Sequence, residues 1–412
     1  MIQSASLTVT GLPHTCIQGE TLSLTLRFSV TDLCVFDPVL RIFIRRRGET
    51  EHLLSADTHQ GGLFFPWLPR GDYSFNYSHR LPFPEGDYEL GIAWGSPREI
   101  RDLDVLHPLH ISAGASEVSA DNPSNWTMSE ETRSRIEKLS WQAGMKNWFH
   151  RHFCHAASVI AETFLAHTPL LKGRILDIGG GDGVTDLSLL LRYRPQELVV
   201  MDIVDYIAEL PRVATEHGLP LERLPDNFVF VRQSCESVPY PDASFDVVLS
   251  WGSVEHIVGG YKKALDEVWR VLKPGGLFFV NPGLYYSSYG SHLGEFSDEP
   301  HLHLKIPEEE LRALVMSGRP RLMDRAGFDV SNAEYWRFYK ELNRIKVAEF
   351  ETELKAYGYT IIRAALRVNN VVEYSPELQH YSVLDLAIED AFFTLQKPAG
   401  LGSLPASCLP RH

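Results

Sequence analysis

Asp177, Gly179, Gly181 and Gly183 alternate through the run Ile175-Leu176-Asp177-Ile178-Gly179-Gly180-Gly181-Asp182-Gly183. Backbone without Cβ atoms can bend sharply and lie directly against a ligand. The spacing is not that of a dinucleotide fingerprint, because the third glycine of G-x-G-x-x-G would fall on Val184. A second acid, Asp202, closes the apolar run Glu197-Leu198-Val199-Val200-Met201-Asp202. An acid about twenty residues beyond such a bend accepts hydrogen bonds from ribose hydroxyls in doubly wound folds. A second group of residues can move protons. Glu255 and His256 follow an apolar run, His292 lies in a later loop, and His301 and His303 come just after it. An alcohol acceptor needs such a base, or a metal ion that lowers its pKa. Of these histidines, His256 and His292 are the best placed.

The elements that must carry these residues follow from patterning. Ile175, Leu176 and Ile178 suit a strand buried on both faces of a parallel sheet, and the glycines then open a helix over 184–191. Residues 245–250 and 277–280 form two further apolar strands, the second launched by Lys273-Pro274-Gly275-Gly276. The loop 281–294 leaves a strand at its carboxyl end, where open α/β sheets bind substrates, and Tyr285, Tyr286 and Tyr289 in it are candidates for an acceptor pocket.

In order and spacing, these segments resemble the class I S-adenosylmethionine (SAM) methyltransferases. D-x-G-x-G-x-G resembles their motif I, and Val238-Pro239-Tyr240-Pro241-Asp242-Ala243-Ser244-Phe245-Asp246-Val247-Val248 is similar to their LPFPDxSFDxV segment. Leu272 to Gly276 is similar to their LKPGG turn. The resemblance spans residues 174–281 and implies a Rossmann-like α/β sheet with SAM as cofactor. It implies cofactor contacts at Asp177, Gly179, Gly180, Gly181, Gly183, Asp202, Ile203, Ser234, Cys235, Glu236 and Trp251. Ser234 stands where an adenine-binding Asp is common in the family. His292 or His256 is then the expected base, with Glu255 beside them. Some methyltransferases hold a divalent ion with E-x-x-E-H. Here Gly252 replaces the first Glu, so no metal is expected. Gly327-Phe328-Asp329-Val330 resembles the family's lead into strand six, and 390–397 its strand seven. Residues 336–389 between them are then an insertion, too long for a hairpin, that serves as a substrate lid or a dimer interface.

Residues 1–113 read differently. Leu22, Leu24, Leu26, Phe28 and Val30 alternate with Ser23, Thr25, Arg27 and Ser29, and similar alternation recurs at 40–45 and 88–94. This predicts a separate all-β sandwich preceding the Rossmann-like unit, with 114–128 a linker, 129–400 the methyltransferase domain and 401–412 a tail. Gly19-Glu20-Thr21-Leu22 and Pro84-Glu85-Gly86-Asp87-Tyr88 resemble the Wzt-type carbohydrate-binding sandwich, which implies a glycan or sugar acceptor as partner. Phe64, Phe65, Trp67, Tyr73, Phe75 and Tyr77 are either a platform for sugar stacking or core.

Composition limits the function further. A net charge of −14 disfavours a nucleic-acid partner. Five scattered cysteines without a CxxC fit a reducing compartment, and residues 1–20 show no charged leader or apolar core. A cytoplasmic protein without membrane insertion is the expectation. The resulting reading is a methyltransferase that O-methylates a sugar of a bacterial surface polysaccharide or its precursor. Two alternatives stay open. One is a natural-product methyltransferase whose sandwich serves assembly, the other a glycan-binding regulator without catalysis. Whether the chain forms a homo-oligomer is also open.

Overall fold

The computed structural model describes residues 5–97, 99–100, 105–114, 123–320 and 330–400. The chain divides into two compact units, Met1–Gly144 with Arg212–Glu222, and Met145–Pro211 with Arg223–His412. No described helix is long and apolar enough to cross a membrane.

The first unit contains strands β1 (Ala5–Thr10), β2 (Thr15–Ile17), β3 (Thr21–Phe36), β4 (Val39–Arg46), β5 (His52–Asp57), β6 (Trp67–Arg80), β7 (Gly86–Ser96), β8 (Glu99–Ile100), β9 (Val105–Ser112) and β10 (Asn125–Met128). One sheet has the order β1-β3-β6-β10, the other β2-β9-β7-β4-β5 with β8 paired to β7. The period-two positions Leu22, Leu24, Leu26, Phe28 and Val30 are all buried. The Phe28 ring meets Trp94 of the other sheet at 5.1 Å, so the two inner faces share one core.

The structure decides one open alternative here and corrects one boundary. Phe65, Trp67, Tyr73, Phe75 and Tyr77 are buried and only Phe64 of that group is exposed, so the aromatics are core and not a stacking platform. On β6 their period-two spacing turns them all to the inner face. The sandwich also does not end at 113. Asn125 to Met128 at the end of the expected linker pair with β6, and the helix Glu130–Ile136 continues the unit. The Ser74 amide donates to the Thr132 hydroxyl of that helix at 2.7 Å.

The second unit is built on a seven-stranded sheet of β11 (Arg174–Ile178), β12 (Glu197–Asp202), β13 (Phe228–Arg232), β14 (Phe245–Trp251), β15 (Leu272–Asn281), β16 (Thr360–Val368) and β17 (Ile388–Gln396). Its order is β13-β12-β11-β14-β15-β17-β16. The first five strands pair in parallel, and β17 is antiparallel to both its neighbours. The strand order reverses between β11 and β14, which opens a crevice at their carboxyl ends. Gly179 and Glu255 both lie just past those ends.

The expected strand six is corrected as well. Gly327, Phe328 and Asp329 lie outside the described residues, and the strand paired with β17 is β16. The interval 336–389 is therefore not one insertion in a hairpin. The helices Asn332–Glu341 and Val347–Ala356 precede β16, and residues 369–387 join it to β17. The second helix packs Phe350 into the core against Tyr261 and Phe393.

Lys397, just past β17, is buried. Its ammonium donates to the carbonyls of Trp269 at 2.6 Å and Leu272 at 2.8 Å, where the helix Lys262–Val271 ends. It supplies two of the donors that a helix C-terminus lacks. Replacing Lys397 by Met should lower unfolding stability by about 2–3 kcal/mol, read from the urea midpoint.

Candidate active site

The glycine run turns the chain at the end of β11. Gly179, Gly181 and Gly183 have φ of 73°, 59° and 70°, a region that side chains with a Cβ rarely adopt. The turn is also too crowded for side chains. A Cβ on Gly180 would stand 2.4 Å from Val200 and 3.2 Å from both Asp177 Oδ2 and Asp186 Oδ2. A Cβ on Gly179 would meet Ser253 at 2.4 Å. The Asp202 carboxylate holds the turn from β12. Its Oδ2 accepts the Gly181 amide at 3.1 Å and its Oδ1 the Val204 amide at 3.0 Å. Asp182 accepts the Val184 amide at 2.9 Å and starts the helix Val184–Tyr193.

Behind the turn lies a cluster of buried carboxyl groups. Asp177 and Asp186 are buried, and Asp177 Oδ1 and both Asp186 oxygens lack hydrogen-bond partners. Burial raises the pKa of both; the contact between them raises Asp186 further and lowers Asp177, while the nearby Asp182 pushes both up. Burial also raises Asp202, although backbone amides pull it back. SAM carries a sulfonium and an ammonium, and a bare backbone bend in front of unpaired carboxyl groups suits such a ligand. The residues present fit the expected cofactor.

Ile203, next to Asp202, is 61% exposed, an apolar side chain left open beside that acid. The Ser234 hydroxyl accepts the Glu236 amide at 3.3 Å, Glu236 pairs with Lys263 at 3.7 Å, and burial pushes the Cys235 thiol up to about 11. Trp251 packs its ring on Phe279 and Phe392, on the β15 and β17 side of β14.

The proton-handling candidates separate into two groups. Glu255, His256 and His292 come together. Glu255 Oε1 lies 3.9 Å from His256 Nε2 and 3.8 Å from His292 Nε2, and the two imidazoles meet edge-on at 4.7 Å. Glu255 is 1% exposed and neither of its oxygens has a partner in hydrogen-bond geometry. Burial pushes its pKa up to about 7, with the nearby Gly283 amide as the main opposing influence. His292 has a φ of 56°, backbone strain of the kind that concentrates at functional sites. His301 and His303 belong elsewhere. Both are buried and bonded to backbone carbonyls, of Leu386 at 3.0 Å and Tyr285 at 2.7 Å. Tyr285 is also core, while Tyr289 is exposed.

Sequence reasoning missed three positioning residues. The Ser253 hydroxyl donates to the Ile178 carbonyl at 2.8 Å, which joins the glycine turn to the loop bearing Glu255. Asn343 clamps that loop. Its amide donates to the Glu255 carbonyl at 2.7 Å, and its side chain donates to the carbonyls of Val254 at 2.9 Å and Ile257 at 3.0 Å. Asp186, in the first turn of the helix Val184–Tyr193, was not singled out by the sequence; its position behind the glycines gave no sequence signal.

Residues 176–280 match the family described as Methyltransferase domain. The ubiquinone/menaquinone biosynthesis C-methyltransferase UbiE of Brucella anthropi is 38% identical over 106 residues, 25% of this chain and 38% of that protein. The uncharacterized methyltransferase YcgJ of Bacillus subtilis is 32% identical over 139 residues, 31% of this chain and 50% of that protein. The crystal structure of the Bacillus YcgJ protein aligns over 60% of this chain and 98% of its own, at 19% identity and a TM-score of 0.36. The chain thus spans half or less of the length of these curated relatives.

Two outcomes follow from this geometry. Asp202→Asn should weaken S-adenosylhomocysteine binding about tenfold or more in calorimetry, because a charge-assisted acceptor is lost; unchanged affinity would remove Asp202 from the site. In ligand-free protein, ionising the buried Asp186 costs stability. That cost is absent near pH 4, where the unfolded carboxyl is itself protonated, and grows as pH rises toward the elevated folded value. Asp186→Asn should therefore melt above wild type at about pH 7.5, by a margin that shrinks on acidification to about pH 5.

Proposed function

We propose that this chain, an S-adenosylmethionine-dependent methyltransferase by the domain at residues 176–280, methylates a hydroxyl group on a sugar of a bacterial surface polysaccharide or its precursor. The observation that carries the oxygen acceptor is the convergence of Glu255, His256 and His292 beside the crevice. A nitrogen, thiolate or carboxylate nucleophile has less need of such a group, whereas an alcohol must lose its proton as it attacks.

The glycine turn and Asp202 hold the nucleoside, with the buried Asp177 and Asp186 behind the turn. When bound, SAM supplies an electrophilic methyl carbon whose departing electron pair is taken up by sulfur. The protein must then hold the acceptor oxygen about 3 Å from that carbon, opposite the sulfur. Removing the hydroxyl proton falls to the Glu255–His256–His292 trio. Ser253 keeps the trio's loop against the turn, and Asn343 fixes its backbone.

The first unit supports the sugar reading by a different feature from the aromatics. The outward face of the β1-β3-β6-β10 sheet bears a hollow of about 320 Å³ lined by Thr10, Ser23, Thr25, Asn76, Ser78 and Thr127 among others. Hydroxyl and amide groups in a row suit the hydrogen-bonding edge of a glycan. The four described cysteines are all free, which supports a cytoplasmic location.

The test is release of S-adenosylhomocysteine by the purified chain over a panel of polysaccharide fragments, free sugars and small phenols. Turnover is expected on the sugar-containing acceptors, and His292→Ala should lower it about 10²-fold while leaving S-adenosylhomocysteine affinity unchanged. Turnover on phenols alone would replace this reading with that of a small-molecule methyltransferase.

A further inference from the structure

We propose that Glu255, His256 and His292 form a binding site for a divalent transition-metal ion, and that this ion activates the acceptor hydroxyl. The existence of the site stands on geometry alone; its role in activation rests on the methyltransferase reading.

The donor set is one carboxylate oxygen and two imidazole nitrogens, and the three atoms lie within 4.8 Å of one another. In a tetrahedral site with ligands at about 2.0–2.2 Å, neighbouring donor atoms stand about 3.4 Å apart. The 3.8 Å and 3.9 Å separations need to close by only about half an ångström. They are too long for hydrogen bonds between the imidazoles and Glu255. The carboxylate is the second, independent observation. It is buried with both oxygens unpartnered, and burying such a group without a compensating charge is costly. A cation among the three side chains removes that cost.

The surroundings keep the site narrow and open on one side. A Cβ on Gly283 would stand 2.4 Å from Glu255 Oε1, so only glycine lets the carboxylate lie where it does. Gly252 offers no fourth side chain. A two-histidine, one-carboxylate set with vacant positions suits zinc, cobalt, nickel, manganese or ferrous iron better than magnesium or calcium, which prefer oxygen. The vacant positions accept the oxygen of an alcohol, and a neighbouring hydroxyl of the same sugar could take a second one. With the ion bound, the three side chains act through it and not as a direct base, and the ligated hydroxyl gives its proton to bulk water. Its oxygen then forms the bond to the methyl carbon as the carbon–sulfur bond breaks and its electron pair goes to sulfur.

The experiment uses the full chain without an affinity tag, dialysed against chelator and then titrated with Co²⁺ and Zn²⁺ alone. Calorimetry gives stoichiometry, and the visible bands of bound Co²⁺ report nitrogen ligation. One equivalent per chain is expected, with Glu255→Gln and His292→Ala each weakening it at least about tenfold. Circular dichroism confirms that both variants fold. Absence of binding by the wild-type chain, or the same affinity and stoichiometry in Glu255→Gln, overturns the inference. A parallel S-adenosylhomocysteine titration keeps the two readings apart. Cofactor binding without metal binding sinks only the metal site, and metal binding without cofactor binding sinks only the methyltransferase reading.

Discussion

The hydrogen bond from the Ser253 hydroxyl to the Ile178 carbonyl sets the spacing on which the site depends. β11 and β14 are neighbours in register, and each ends in a loop that leaves toward the same crevice. Without a tie, two such loops would drift independently. Ser253 closes the gap because Gly179 has no side chain to hold it off. Ser250, whose hydroxyl lies 2.6 Å from that of Ser253, completes the link from within β14. The cofactor cradle and the Glu255–His256–His292 trio are thereby held at a fixed separation. In-line transfer requires that, because a shift of about 1 Å in the acceptor can cost 10²-fold in rate.

Buried carboxyl groups mark both halves of the crevice, and the two halves solve the same problem differently. Asp177 and Asp186 are buried behind a bend whose amides are bonded within the protein, to Met201, Asp202 and Gly180. Glu255 faces two imidazoles on its own chain, so an ion can be held there by protein alone. In each case burial favours the neutral carboxyl, and a bound positive charge would favour the ionised one.

The parts of the fold that the sequence revealed are those governed by local rules. The glycine spacing, the acid closing β12 and the Pro-Gly-Gly irregularity, which falls within β15 and not before it, each reflect a backbone requirement met within a few residues. The parts it concealed depend on distant partners. β16 reads Thr-Ile-Ile-Arg-Ala-Ala-Leu-Arg-Val, and most of it is exposed at the sheet edge. With no buried face to impose alternation, it gives no strand signal, and the nearer Gly-Phe-Asp-Val took its place in the reading. The aromatics of β6 had the opposite fault. Their composition suited a sugar platform, but their period placed them all inside. Asn343 carried no signal at all, because its role exists only once the loop at Glu255 has come to lie against it.

The position of Gly252 ties these strands of argument together. A glutamate there would add a second carboxylate beside Glu255, since a Cβ at Gly252 already comes within 3.6 Å of Glu255 Oε1. Two carboxylates at that distance repel unless a cation is permanently bound between them. With glycine in place, a single carboxylate and two imidazoles can exist without the ion, and when the ion is present it keeps vacant positions. Gly252 also has a φ of 58°, so the chain turns there in a way that favours glycine on conformational grounds alone. Backbone geometry and electrostatics thus select the same residue. The result is a trio whose carboxylate has no second carboxylate beside it at position 252.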